Sequence, residues 1–125
     1  MKKITYVEIN KQHFVQFPEE RISGLILPST DFTSASVGEV APGIAQASHS
    51  HKRPQNGDEI IFVYQGYFEF VTENGTQKFN ADRIGPVFIQ VPAGVQGSIK
   101  NIGNRPVRFF SVFSPPFKMG EINYW

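Results

Sequence analysis

Residues 49–66 read HSHKRPQNGDEIIFVYQG, and the fold and the candidate site both follow from this stretch. His49 and His51 stand two positions apart, so on an extended strand their imidazoles share one face. The next apolar run opens at Glu59, and residues 52–58 before it are rich in turn-forming types. The pattern predicts a hairpin that brings two imidazoles and a carboxylate together. That combination is the ligand set of a non-haem Fe(II) type site, and other divalent metals accept it.

Size and composition indicate one globular domain that spans residues 1–125. The 12 basic and 11 acidic residues give a formal charge of +1, which argues against a nucleic-acid partner. The sequence has no cysteine, which excludes disulfides, zinc–thiolate sites and cysteine nucleophiles. We find neither a signal peptide nor an apolar stretch near the ~18 residues of a membrane span, and therefore expect a cytoplasmic protein without a membrane partner.

Short β-type runs separated by turn signals dominate the chain, and no segment shows a convincing helical period. The predicted strands are 5–9, 24–27, 34–40, 45–51, 59–64, 68–73, 76–79, 87–91, 98–102 and 107–113. Asn74-Gly75 lies between two of these runs and predicts a type I′ hairpin turn. About ten short strands in a single domain favour an all-β sandwich or small barrel.

The spacing around the two histidines resembles the first sequence motif of the cupins. That motif reads Gly, five residues, His-x-His, three or four residues, Glu, six residues, Gly. In this chain five residues separate Gly43 from His49, and six separate Glu59 from Gly66. Seven residues lie between His51 and Glu59. A longer hairpin loop accommodates the additional residues at a small cost in loop-closure entropy.

A second cupin motif reads Gly, five residues, Pro-x-Gly, two residues, His, three residues, Asn. This chain has the residue types of that motif at Gly85, Pro92, Gly94 and Asn101. Six residues separate the first Gly from the Pro, which predicts one extra residue or a β-bulge.

The position where the second motif has its histidine, which would be the fourth metal ligand, is Gly97. Gly97 either marks a site that no longer holds metal well, or leaves an open position for substrate and a small co-ligand. The nearest side chain that could donate is Gln96, and strand alternation points it away from that position.

The resemblance covers roughly residues 30–116 and implies an all-β double-stranded β-helix, the jelly-roll barrel of the cupins, commonly as a homodimer. It implies that His49, His51 and Glu59 bind a divalent transition metal, with iron, manganese, nickel or zinc as candidates. The expected function is a metal-dependent cupin acting on a small organic molecule by oxygenase, isomerase or lyase type chemistry. The alternative is a non-catalytic cupin that binds a small ligand as a sensor or carrier, and a structural barrel with a vestigial site is a third hypothesis. Because one fold supports many reactions, the resemblance does not decide whether the protein is an enzyme.

Asp58 competes with Glu59 for the role of the carboxylate ligand. Glu59 is preferred because it keeps the six-residue spacing to Gly66. It also shares strand parity with Ile61 and Val63, which are predicted to face inward.

Other polar residues have weaker claims to a functional role. Arg83, Arg105 and Arg108 could bind a substrate carboxylate, although exposed structural arginines are the more ordinary expectation. His13 is expected on the surface. The sequence has no nucleophile elbow and no glycine-rich phosphate loop, and no general base is predicted beside the motif.

Overall fold

A computed structural model of the chain describes residues 3–51, 58–116 and 122–124, with residues 50, 51 and 122–124 described by backbone pairing alone. Within these residues the chain forms one 3₁₀ helix, Lys11–His13, and eleven strands. The strands are β1 (Val15–Phe17), β2 (Ile22–Ile26), β3 (Ser34–Val40), β4 (His49–His51), β5 (Asp58–Gln65), β6 (Tyr67–Thr72), β7 (Gly75–Asn80), β8 (Val87–Pro92), β9 (Gly97–Asn101), β10 (Val107–Ser114) and β11 (Ile122–Tyr124). No helix in this part of the chain has the length and apolar character needed to cross a membrane.

The strands form two antiparallel sheets. The six-stranded sheet has the order β1-β2-β3-β10-β5-β8, and the five-stranded sheet has the order β11-β4-β9-β6-β7. β10 lies between β3 and β5, and β9 lies between β4 and β6, so strands that are distant in sequence are neighbours in both sheets. This interleaving is the topology of a jelly roll, and it confirms the all-β class.

The hydrophobic core lies between the sheets and is produced by period-two alternation along the strands. In β10, Val107, Phe109, Ser111 and Phe113 are buried, whereas the residues between them are only half-buried. The fully buried side chains of Val40, Val63, Phe68, Ile99 and Val107 come from both sheets. The inner faces of both sheets therefore make a single core.

Two predicted strands differ from the structure. Residues 5–9 form no strand and are exposed, so that prediction is wrong. Branched and aromatic residues form a strand only where a partner strand and a face to bury exist. The predicted strand 45–51 is too long, because β4 begins at His49 and only an isolated bridge joins Ala45 to Lys100. β1 and β11 were not predicted.

The hairpin between β6 and β7 is present, but its turn differs from the prediction. Thr72 pairs with Gly75, so Glu73 and Asn74 are the central residues rather than Asn74-Gly75. A type I′ turn needs positive φ at both central residues, and neither has it. Gly75 itself has a φ of 134°, a conformation that a residue with a side chain rarely adopts. The predicted turn was therefore wrong in both position and type.

Candidate functional site

His49 and Glu59 meet at a small cavity between the two sheets. The cavity has a volume of about 20 Å³ and is lined by Gln46, His49, Glu59, Ile61, Phe70, Val91, Val95, Gly97 and Phe109. A space of this size accommodates about one water molecule or one metal ion. Four of its lining residues, Gln46, His49, Glu59 and Phe109, also border a larger cavity of about 730 Å³.

The imidazole of His49 is buried and held in one orientation. Its Nδ1 lies 2.7 Å from the carbonyl oxygen of Ala47. Because a carbonyl oxygen can only accept, Nδ1 donates the hydrogen bond and the lone pair of the ring is on Nε2. Metal-binding histidines are commonly oriented by a backbone carbonyl in this way. The backbone of His49 is fixed by pairing with Gly97 of β9 and Tyr124 of β11.

The structure separates the two candidate carboxylates. Glu59 is 7% exposed and faces inward with Ile61 and Val63, as its strand parity predicted. Asp58 faces the other way, and its Oδ2 accepts a hydrogen bond of 2.9 Å from Nε2 of Gln90. Glu59 lines both cavities and Asp58 lines neither.

The backbone of His51 pairs with Ile122 in the ladder between β4 and β11. Its side chain lies outside the described part of the structure, so its predicted role as a metal ligand stays a prediction. Among the side chains that are described, no three His, Asp or Glu residues cluster as a metal site would require.

The space beside Gly97 is filled by an aromatic ring. Gly97 lies directly opposite His49 in the ladder between β4 and β9. A Cβ atom built on Gly97 would lie 2.8 Å from Cζ of Phe70 and 3.0 Å from its Cε2, so any larger residue would require the ring to move. Gln96 does not replace the missing ligand, because its amide donates to Oγ of Ser48 at 2.6 Å and it lines neither cavity.

The large cavity is walled mainly by the N-terminal strands and by the inner faces of β3 and β10. Its apolar lining residues are Phe17, Pro18, Ile22, Leu25, Ile26, Leu27, Ala35, Val37, Phe109 and Phe113. Its polar and acidic lining residues are Gln16, Glu19, Glu20, Ser29, Ser34, Ser36, Gln46, His49, Glu59 and Ser111. A cavity of this volume that combines apolar and aromatic side chains with polar groups is a candidate small-molecule site.

Gln46 is a site residue that the sequence analysis missed. Its side chain is 8% exposed, and it is bonded twice to Ile99 of β9. The backbone N–H of Gln46 donates to the Ile99 carbonyl at 2.8 Å, and its Oε1 accepts from the Ile99 N–H at 3.2 Å. Strand parity relative to His49 would have placed Gln46 on the opposite face. The parity argument fails because the chain is not a regular strand before His49.

None of the three arginines considered as carboxylate binders lines either cavity. Arg105 forms an ion pair of 3.3 Å with Asp82, and Arg108 forms one of 3.2 Å with the buried carboxylate of Glu39. Arg83 is exposed, and His13 is on the surface as predicted.

No protein-family model matches the sequence, and no curated protein matches it. Solved structures do match over most of its length. One is an uncharacterized conserved protein with a double-stranded β-helix domain from Klebsiella pneumoniae, which is 19% identical with a TM-score of 0.72 over 96% of this chain and 97% of that one. A Cupin 2 conserved barrel domain protein from Salinispora arenicola is 15% identical, with a TM-score of 0.70 over 90% of this chain and 89% of the other.

The third structure is an enzyme, the oxalate decarboxylase of Lactobacillus farciminis in a formate complex. It is 24% identical with a TM-score of 0.70, and the match covers 89% of this chain and 32% of the decarboxylase. At these identities the likeness establishes the fold alone. The chain has the double-stranded β-helix fold of the cupins, as the resemblance implied.

Proposed function

From the cupin fold and the buried pair of His49 and Glu59, we propose that this protein is a metal-dependent cupin acting on a small organic molecule. His49, His51 and Glu59 hold a divalent metal, with iron, manganese, nickel and zinc as the candidates. The observation that carries the proposal is the convergence of an oriented imidazole and a carboxylate, each more than nine-tenths buried, on one cavity. A carboxylate and an imidazole nitrogen are both ligand types that divalent transition metals accept.

When bound, such a metal supplies a Lewis acid, or activates O₂ or water. The residues of the chain supply its surroundings. Ala47 fixes the ring of His49, while Phe70 and Val91 wall the small cavity with apolar surface. Among the described residues that line this cavity, His49 and Glu59 are the ones that ionise, and both are assigned as ligands. The arrangement therefore suits oxygenase, isomerase or lyase type chemistry in which the metal and the substrate need no separate protein base.

The second candidate function is a non-catalytic cupin that binds a ligand as a sensor or carrier. It is favoured by the ring of Phe70, which takes the space beside Gly97 where a fourth ligand would begin. The fold does not distinguish an enzyme from a non-catalytic binding protein, because it supports an enzyme such as oxalate decarboxylase as well as unrelated roles. Removal of the metal with a chelator distinguishes the two functions. An enzyme of this type loses its turnover together with its metal, whereas a carrier keeps its affinity for the ligand.

Glu59→Gln tests the carboxylate ligand, and Asp58→Asn is its matched control. The amide keeps the shape of Glu59 but removes the anionic oxygen, so we expect the affinity for Mn(II), Ni(II) or Zn(II) to fall about tenfold or more. The same change at Asp58 removes a half-exposed charge outside the cavities and is expected to alter the affinity about twofold or less. Calorimetric titration of the EDTA-treated protein with the metal measures the affinity of each variant. A larger loss in Asp58→Asn than in Glu59→Gln would contradict the ligand assignment.

We propose further that the protein is a homodimer formed through the outer face of the six-stranded sheet. Three phenylalanines that are register neighbours across β8, β5 and β10 lie on this face, namely Phe88, Phe62 and Phe110. Phe88 is 61% exposed and Phe62 is 43% exposed. Exposed apolar patches commonly mark interaction surfaces, and two copies of one such face can pair about a two-fold axis.

Phe88→Glu is expected to shift the protein from dimer to monomer, because it replaces a ring of this aromatic face that is 61% exposed with a charge. The control is Ile84→Glu, since Ile84 is 82% exposed and precedes β8, outside the aromatic face. Light scattering coupled to size-exclusion chromatography gives the mass of each variant. A monomeric wild type, or a Phe88→Glu variant that stays dimeric, would refute this interface.

A further inference from the structure

We infer that the large cavity binds a neutral, largely apolar molecule with an oxygen acceptor, and that the side-chain amide of Gln46 donates to that oxygen beside His49 and Glu59. This inference rests on the proposed function and names the substrate class of the same site. It assigns Gln46 as a specificity-determining residue.

The first support is the hydrogen-bonding state of Gln46. Its Oε1 accepts a hydrogen bond from the backbone N–H of Ile99, and only the oxygen of the side-chain amide can accept from an N–H. Nε2 is therefore the end that is left to donate, and no residue in the described part of the chain accepts from it. A buried amide donor without a partner destabilises the protein. Because Gln46 lines both cavities, a ligand in the large cavity can remove that cost.

The second support is the charge of the cavity wall. Glu19, Glu20 and Glu59 line the large cavity, and none of its described lining residues is a lysine or an arginine. Proteins usually recognise a carboxylate or phosphate with arginine or lysine. Arg105 pairs with Asp82 and Arg108 pairs with Glu39, while Arg21, between the lining residues Glu20 and Ile22, is exposed and lines neither cavity. Apart from a metal at the proposed site, the described residues of the wall thus offer an organic anion like charges and no cationic side chain.

The third support is the apolar surface of the cavity. Phe17, Leu25, Val37 and Phe113 line it, together with further aliphatic residues. Its volume of about 730 Å³ exceeds what a two- or three-carbon acid would fill. The polar end formed by Gln46, His49 and Glu59, together with the apolar residues of the wall, matches a molecule with a hydrocarbon body and one carbonyl or hydroxyl oxygen.

Three naphthalene derivatives substituted at the same ring position test this inference. Acetylnaphthalene is neutral and has an acceptor oxygen, naphthoate is anionic, and ethylnaphthalene has no oxygen. Their affinities are measured by fluorescence titration of the protein as purified and again after EDTA treatment. After EDTA treatment, when no metal can bind the carboxylate, the ketone is expected to bind at least about tenfold more tightly than the carboxylate. Equal or tighter binding of naphthoate to the EDTA-treated protein would overturn the inference, and so would failure of the ketone to bind up to its solubility limit.

Gln46→Glu and Gln46→Met separate the donor from the structural role of Gln46. Glutamate still accepts from the N–H of Ile99 but lacks the amide donor, and methionine removes the donor without adding charge. Both variants are expected to lose about tenfold in affinity for acetylnaphthalene and about threefold or less for ethylnaphthalene. Equal losses for the two compounds in both variants would show a packing role only and would overturn the assignment.

Failure of this inference and failure of the metal proposal give different results. If the protein takes up no metal but keeps the preference for the ketone, the metal-dependent function fails, and the ligand class assigned to the cavity stands under the non-catalytic function. If it takes up metal but shows no preference for the ketone, the inference fails and the metal site stands.

Discussion

His49→Ala is expected to lower the affinity of the protein for a divalent metal by at least about a hundredfold. The imidazole is buried, oriented by the carbonyl of Ala47, and lines the same small cavity as Glu59. Loss of a residue that merely orients a metal ligand already costs about 10- to 100-fold in affinity, so loss of the ligand itself costs more. Competition with a chromogenic chelator for Zn(II), Ni(II) or Mn(II) measures the change.

The control for this variant is His13→Ala. His13 is exposed at the end of the 3₁₀ helix and lines neither cavity, so its removal is expected to leave metal affinity unchanged. Both variants should remain folded, because the apolar core dominates the stability of such a barrel. A folded His49→Ala variant that binds metal as tightly as His13→Ala would eliminate His49 as a ligand.

Phe68→Ala is expected to lower the free energy of unfolding by about 3–5 kcal/mol. Phe68 is fully buried in β6, and its ring centroid lies 5.5 Å from that of Phe79 on β7. Alanine would leave a cavity at the centre of the core cluster that joins both sheets. Such a loss is a large part of the roughly 5–15 kcal/mol by which proteins are stable. Urea unfolding followed by circular dichroism measures it.

Phe88→Ala is the control for Phe68→Ala, because it removes the same side chain from a position that is 61% exposed. The expected loss in the monomer is about 0.5 kcal/mol or less. Similar losses for the two variants at a protein concentration where both are monomeric would contradict the placement of Phe68 in the core.

The strands of the barrel could be predicted where their own alternation determines which residues are buried. Glu59, Ile61 and Val63 alternate with more exposed residues along β5, and the period of two is visible in the sequence. β1 and the absence of a strand at residues 5–9 could not be predicted in this way. Both depend on which edge of the sheet offers a partner, and β1 is held by pairing with β2 alone.

Part of the candidate site could be predicted from sequence spacing, although the predicted hairpin was wrong. β4 belongs to the five-stranded sheet and β5 to the six-stranded sheet, so His49 and Glu59 line one cavity from opposite sheets rather than from one hairpin. Gln46 was missed because its placement depends on two hydrogen bonds to Ile99 across the sheet, which no local pattern encodes. The ring of Phe70 against Gly97 was also missed, since strand spacing says nothing of how a diagonal neighbour turns its side chain.

The proposed metal site of His49, His51 and Glu59 is tested by the metal content of the protein. The measurement is plasma mass spectrometry of tag-free protein, with His51→Ala purified in parallel. Near-stoichiometric iron, manganese, nickel or zinc is expected in the wild type, and almost none in the variant. A variant that retains the metal of the wild type would refute the proposed site, and so would a wild type that is empty and takes up none of the four metals when they are added.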